Sequence, residues 1–273
     1  MFVSEGAKHV GRSLSPARGL VLAIAGFLAA ATGNQAQAQA PLTITVAPPF
    51  QDAFVRELAP TLGYGAAGAL AVGGVNSVNV LGQPRGRFDS VMQFETAPAV
   101  QAFDTAFGAG GWTITGVTLR LVEDAAPNNA VFPHGLGTFE VRWLSNDNWV
   151  QGAGTAGMPS VAGGDEMSWN YLQSLLALPE TTEASLGTFA NTLVTEPHFF
   201  DLAAEAGFVS DIAAGGSLSL HLQPVSNTVG FVFNSGDFPV AANRPMLFVT
   251  AVPEPAGLIL LCTAMLLVPR RRR

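Results

Sequence analysis

The chain has 273 residues, with thirteen Lys and Arg against twenty Asp and Glu, a net charge of −7 at neutral pH. Between residues 41 and 252 there are six arginines, no lysine and eighteen carboxylates, a net charge of −12. Phosphate binding needs clustered cations, so this balance excludes nucleic acid and anionic lipid as partners of that body.

Residues 1–40 read as a secretory signal. Lys8, His9, Arg12 and Arg18 give a basic start, 20–31 is an apolar run, and Ala38-Gln39-Ala40 supplies a small-x-small cleavage site. Twelve apolar residues fall short of the roughly twenty that span a bilayer as a helix. Cleavage is expected after Ala40. Pro41 would follow directly, which leaves Ala36 and Ala38 open as alternatives.

Residues 41–251 are long enough for one domain with its own core. Short apolar runs alternate with Gly, Pro, Asn and Asp, the punctuation of an all-β chain. Strands are predicted at 42–46, 53–56, 69–72, 90–94, 113–122, 137–143, 217–224, 229–234 and 245–252. In 113–122, Val117, Leu119 and Leu121 fall on one face and Ile114, Gly116, Thr118, Arg120 and Val122 on the other. In 217–222 the three leucines share a face and His221 falls opposite, toward solvent. Helical spacing predicts helices at 97–107, 165–178 and 202–212, and 152–164 reads as an exposed Gly-rich loop. The expected fold is a single antiparallel β-sandwich, jelly-roll-like, with two or three short inserted helices.

Catalytic motifs are sparse. His134, His198 and His221 match no zinc-protease spacing, and no G-x-S-x-G elbow occurs. Glu123-Asp124 on a strand would point to opposite faces, a poor carboxylate dyad. Asp165-Glu166 suits the N-terminus of a helix, where carboxylates meet free N–H groups. The only cysteine, Cys262, lies outside the body, leaving neither disulfide nor thiol nucleophile there. No cofactor is implied, although Asn146-Asp147-Asn148 is oxygen-rich enough to be a calcium candidate. The four tryptophans, Trp112, Trp143, Trp149 and Trp169, are candidates for a sugar platform, but Trp112 at a strand start and Trp169 on a helix suit a core, and burial is the stronger reading for such rings. Trp149, in a polar loop, is the candidate for an exposed sugar-stacking ring. Phe88, Phe94, Phe231, Phe233 and Phe248 suit the core, and Arg87, Arg120 and Arg244 are each available to pair with a carboxylate.

The last residues, 252–273, combine Pro253-Glu254-Pro255, an apolar run at 256–268, and Arg270, Arg271, Arg272 and Arg273. Thirteen apolar residues are short for a stable span, and terminal arginines resist translocation. In this order the three parts resemble the PEP-CTERM sorting signal. The resemblance implies transient insertion of the tail as an inner-membrane helix, cleavage near the motif by an exosortase, and delivery to the surface or extracellular matrix of a Gram-negative bacterium.

The body resembles the DNRLRE-type β-sandwich of bacterial surface proteins. The matching segments are Asp52-Ala53-Phe54-Val55-Arg56 with Gly63-Tyr64-Gly65, residues 86–94, 114–121 and 143–159, Phe200-Asp201-Leu202 as a turn, Ser235-Gly236-Asp237, and residues 243–247. It implies a carbohydrate-binding or matrix role without assigning ligand residues. Function is therefore expected to be non-enzymatic and extracellular, with polysaccharide as the candidate partner. The alternatives are a polysaccharide-active enzyme or accessory domain, and a purely structural matrix protein.

Overall fold

The computed structural model describes residues 39–123 and 131–254. The signal segment through Ala38, residue Asp124, and the tail from Pro255 through Arg270, Arg271, Arg272 and Arg273 lie outside the described residues.

The described body is an antiparallel β-sandwich. Its strands are β1 (Leu42–Val46), β2 (Gln51–Arg56), β3 (Leu62–Gly63), β4 (Ala69–Gly73), β5 (Phe88–Glu95), β6 (Trp112–Val122), β7 (Gly137–Leu144), β8 (Ser160–Val161), β9 (Glu183–Asn191), β10 (Pro197–Leu202), β11 (Ser217–Pro224), β12 (Gly230–Asn234) and β13 (Met246–Pro253). The helices are α1 (Ala97–Phe107), α2 (Trp169–Leu176) and α3 (Ala206–Ala214). One sheet runs β1-β13-β6-β10. The other runs β12-β4-β5-β11-β7-β9, with β2 also on β5, and β3 and β8 form a small ribbon. Both β2 and β4 adjoin β5, and the Ser90 hydroxyl bonds both the N–H and the C=O of Ala71 where the ladder divides.

Period-two alternation sends one face of each sheet inward. Leu119, Leu121, Leu247 and Val249 from the smaller sheet meet Phe88, Phe94, Leu218, Leu220, Leu222, Phe231 and Phe233 from the larger, all essentially without solvent contact. Phe139 stacks on Phe231 with centroids 4.8 Å apart, and Tyr64 on Phe54 at 4.4 Å.

Four expectations are corrected. First, Ile114 and Val122 are buried, not on the solvent face. Thr250 pairs with Gly116 and Ala251 with Ile114, so Thr115 is an extra residue that reverses the alternation. Val122 is covered where Glu123 bridges to Phe233. Second, the larger sheet is buried on both faces, so His221 is 1% exposed rather than solvent-facing. The segment that follows β7 folds back over it and seals a second core of Ala53, Val55, Val91, Leu144, Trp149, Met167, Leu172 and Leu175. Third, residues 200–202 belong to strand β10 rather than a turn, and β9 was not anticipated at all. The last helix consequently starts at Ala206, capped by Glu205. Fourth, Asp165 and Glu166 do not cap a helix. α2 starts at Trp169, and Ser168 Oγ accepts from Tyr171 N at 3.2 Å.

β13 lies between β1 and β6, and its last residue, Pro253, pairs with Trp112. Glu254 N–H donates to Gly111 O at 2.9 Å. The first two residues of Pro253-Glu254-Pro255 are thus held against the smaller sheet.

Candidate functional site

Trp149, the candidate for an exposed ring against the stronger reading of core packing, is 2% exposed and packs in a core. Its indole N–H donates to Ser219 Oγ at 3.0 Å, and Ser219 in turn donates to Asp147 Oδ1 at 2.6 Å. An indole with its one polar group satisfied internally is stable in a core. It is therefore closed to a sugar. Trp143 is buried with its N–H on Asp211, Trp112 packs on Phe103, and Trp169 lies under the Arg87 guanidinium at 5.4 Å.

The histidines do not converge into a site. His198 lies 3.3 Å from Glu123 and bonds Val194 O. His221 sits between two carboxylates, Nε2 3.2 Å from Asp89 and Nδ1 2.6 Å from Glu183. Burial lowers its pKa, but those two partners outweigh it and raise it from 6.5 to about 9. Burial would raise Asp89, yet the His221 and Arg87 hydrogen bonds hold it below the ordinary value. Arg87 reaches Asp89 with two bonds of 2.8 Å, and Arg142 joins Glu140 at 3.0 Å and Glu183 at 3.5 Å. Three cations and three carboxylates close a neutral network. With both ring nitrogens of His221 engaged, it has no lone pair for a metal and no surface for substrate.

A second cluster joins residues from β2, the loop after β3, the loop after β7 and the loop after β12. Asp52 N–H donates to Gln151 Oε1, while Gln151 Nε2 donates to Gly65 O at 2.9 Å and Asp237 Oδ2 at 2.6 Å. Asp52 Oδ2 accepts from Gly236 N at 2.5 Å, and its Oδ1 is buried with no partner. Burial, helped by the Asp237 charge and opposed by Gly236 N–H, pushes the Asp52 carboxyl up to about 7. Arg244 ties this loop through Phe238 O at 2.7 Å, a carbonyl rather than the expected carboxylate.

The calcium candidates Asn146, Asp147 and Asn148 line a polar cleft of about 330 Å³ with Ser145 and Glu180. Asn146 Oδ1 accepts from Asn148 N, its amide donates to Thr181, and Asn148 O accepts from Tyr171. Burial raises the Asp147 carboxyl despite its bonds to Ser219 and Gln93. Asn146 Oδ1 and Asp147 Oδ1 are already committed to Asn148 N–H and Ser219, and among the described residues no group of three or more His, Cys, Asp or Glu is placed to hold a metal ion.

The remaining surface of note is the outer face of the smaller sheet. Phe199 is 61% exposed, and Phe248, expected in the core, is half-buried on this face because Leu247 and Val249 take the inward positions. Their rings lie 6.2 Å apart, tilted by 38°. Register places Thr45, Phe248, Thr118 and Asp201 in one row across four strands, Thr43, Thr250 and Gly116 in a second, and Met246, Arg120 and Phe199 in a third. Thr118 donates to Asp201 at 2.7 Å, and the Thr43 and Thr250 hydroxyls meet at 2.8 Å. Arg120, expected to meet a carboxylate, turns to Ala242 O and Met246 Sδ. Two aromatic rings flanked by hydroxyls and a carboxylate on a sheet face can stack apolar sugar faces and bond their hydroxyls.

Sequence reasoning missed Phe199 because β10 was not recognised. The signal was present: adjacent phenylalanines in a strand must face opposite ways, so one of Phe199 and Phe200 has to leave the core. Neither a protein-family model nor a curated protein matches the chain.

Proposed function

We propose that the chain is an exported surface or extracellular-matrix protein, handled at its C-terminal end by an exosortase-type enzyme, whose sandwich binds polysaccharide without catalysis. The observation that carries the binding role is the outer face of the smaller sheet, with Phe199 and Phe248 presented beside Thr118 and Asp201. A ring pair on a solvated sheet face, Phe199 exposed and Phe248 half-buried, suits a partner that is half apolar and half hydroxyl. The ends of the chain support export through the resemblance of residues 252–273 to a sorting signal.

A polysaccharide-active enzyme would instead draw on the Asp147 and Glu180 cleft, where burial raises the Asp147 carboxyl above its ordinary value. The deciding experiment is retention of the full chain on a panel of insoluble and gel-forming polysaccharides. Retention on one glycan, lost in Phe199→Ala, supports the reading. A chain that passes every glycan unretained leaves only the matrix-structural role, and release of reducing ends would establish the enzyme.

A further inference from the structure

We infer that the glycan taken by this face is uncharged; the inference rests on the polysaccharide reading above and narrows it to a substrate class. Recognition of uronate or sulfate groups requires cations or N–H donors free to meet them. The described arginines lie mostly off this face, and the best paired of them are engaged within the fold. Arg87 is bidentate on Asp89, and Arg142 is shared by Glu140 and Glu183. Arg56 lies over the Phe88 ring at 4.9 Å, Arg85 donates to Gln83, and Arg244 donates to Phe238 O.

Arg120 alone stands on the face itself, and it is turned onto the Ala242 carbonyl and the Met246 sulfur. Next to the two rings, the face offers the Thr45 hydroxyl, the second oxygen of Asp201 and the remaining capacity of the paired hydroxyls of Thr118, Thr43 and Thr250. A carboxylate accepts from a sugar hydroxyl and repels a sugar acid. Threonine hydroxyls donate and accept, matching a polyol whose hydroxyls do the same. Around the face the whole body carries −12, a field that disfavours the approach of any polyanion at low salt. Stacking on Phe199 and Phe248 draws on the apolar side of a pyranose and is indifferent to ionic strength.

The test passes the full chain over gels of neutral β-glucan and galactan, a uronate gel, a sulfated galactan gel and a polyglucosamine gel. Each is run with a chelator at about 0.01 M and about 0.15 M salt, where the Debye length is ~30 Å and ~8 Å. The expected result is retention on a neutral gel that changes by less than about twofold between the two salts, and that Phe199→Ala and Phe248→Ala each reduce by about tenfold or more. Passage through the uronate and sulfated gels accompanies it. Retention on an anionic or polyglucosamine gel that weakens with salt and is lost in Phe199→Ala overturns the uncharged class while leaving the platform in place. Failure of every gel overturns the polysaccharide reading and this inference with it. Near-ultraviolet circular dichroism of both variants, unchanged from the parent, separates lost binding from lost folding.

Discussion

His221 and Asp89 face each other across the β5–β11 pair, Nε2 3.2 Å from Oδ2, with both side chains sealed from solvent. Glu183 closes the other ring nitrogen at 2.6 Å. The folded pKa of about 9 exceeds the ordinary 6.5, so between these values the folded chain keeps a proton that the unfolded chain releases. This contribution is complete below pH 6.5 and is lost as pH rises through 9. Unfolding free energies from urea titration should therefore fall from about pH 6 to about pH 10, by an amount on the order of 3 kcal/mol, with the midpoint falling in step. A midpoint that holds constant across that window would contradict the charged pairing.

Removing the imidazole gives a second outcome. In His221→Leu the Asp89 carboxylate, fully buried, keeps only Arg87. Breaking one side of a buried ion network costs about 3–5 kcal/mol. Equilibrium denaturation should show the loss in full at neutral pH, and His221→Gln, which retains a donor, should lose less.

Asp52 works in the opposite sense to a paired carboxylate. Its folded pKa of about 7 lies above the ordinary 3.8, so the folded chain retains a proton between those values and stability falls as pH rises through them. Asp52→Asn keeps an oxygen for Gly236 N–H and removes the buried charge. It should match the parent at acid pH and exceed it at about pH 8, by up to about 4 kcal/mol. A variant less stable than the parent at both pH values would show that the ionised carboxylate is the stabilising form.

Trp149→Ala should behave as a core deletion. The ring is buried among Val55, Val91, Met167 and Leu172, so truncation costs about 3–5 kcal/mol. Thermal unfolding should shift down, while glycan retention at a temperature where the variant is folded should persist. Retention lost from a fully folded variant would return the binding site to this loop.

The end of the chain has a sharp structural threshold. A chain ending at Arg244 lacks β13, the strand between β1 and β6, and strips Leu247, Val249 and Ala251 from the core. It should fail to fold cooperatively. A chain ending at Glu254 keeps the Pro253–Trp112 pairing and the Glu254–Gly111 bond, and should unfold within about 1 kcal/mol of the full chain. Circular dichroism with urea titration compares the two.

The expected strands and helix 97–107 were legible because alternation and turn residues marked them, as in Leu218, Leu220 and Leu222. β9 was not, since Glu183–Asn191 has only Leu186 and Asn191 deeply buried and its small residues give no clear period. β10 was hidden by His198-Phe199-Phe200-Asp201, where two adjacent rings mask the alternation that pairing with β6 imposes. The burial of Trp149 has a tertiary reason. Asn and Asp around it look solvated, and nothing local shows that this loop folds over β5 and β11 to make a second core. That same covering turned His221 from a solvent-facing residue into the centre of a buried charge network. The Phe199 and Phe248 face became visible only when register set residues from β10 and β13 side by side across β6.

The most direct test is calorimetric titration of the retained glycan's oligosaccharide into the parent chain, Phe199→Ala and Asn148→Ala. Phe199→Ala should weaken binding by about tenfold or more while Asn148→Ala, at the polar cleft, leaves it unchanged. Binding intact in Phe199→Ala and abolished in Asn148→Ala would place the site in the cleft and contradict the account.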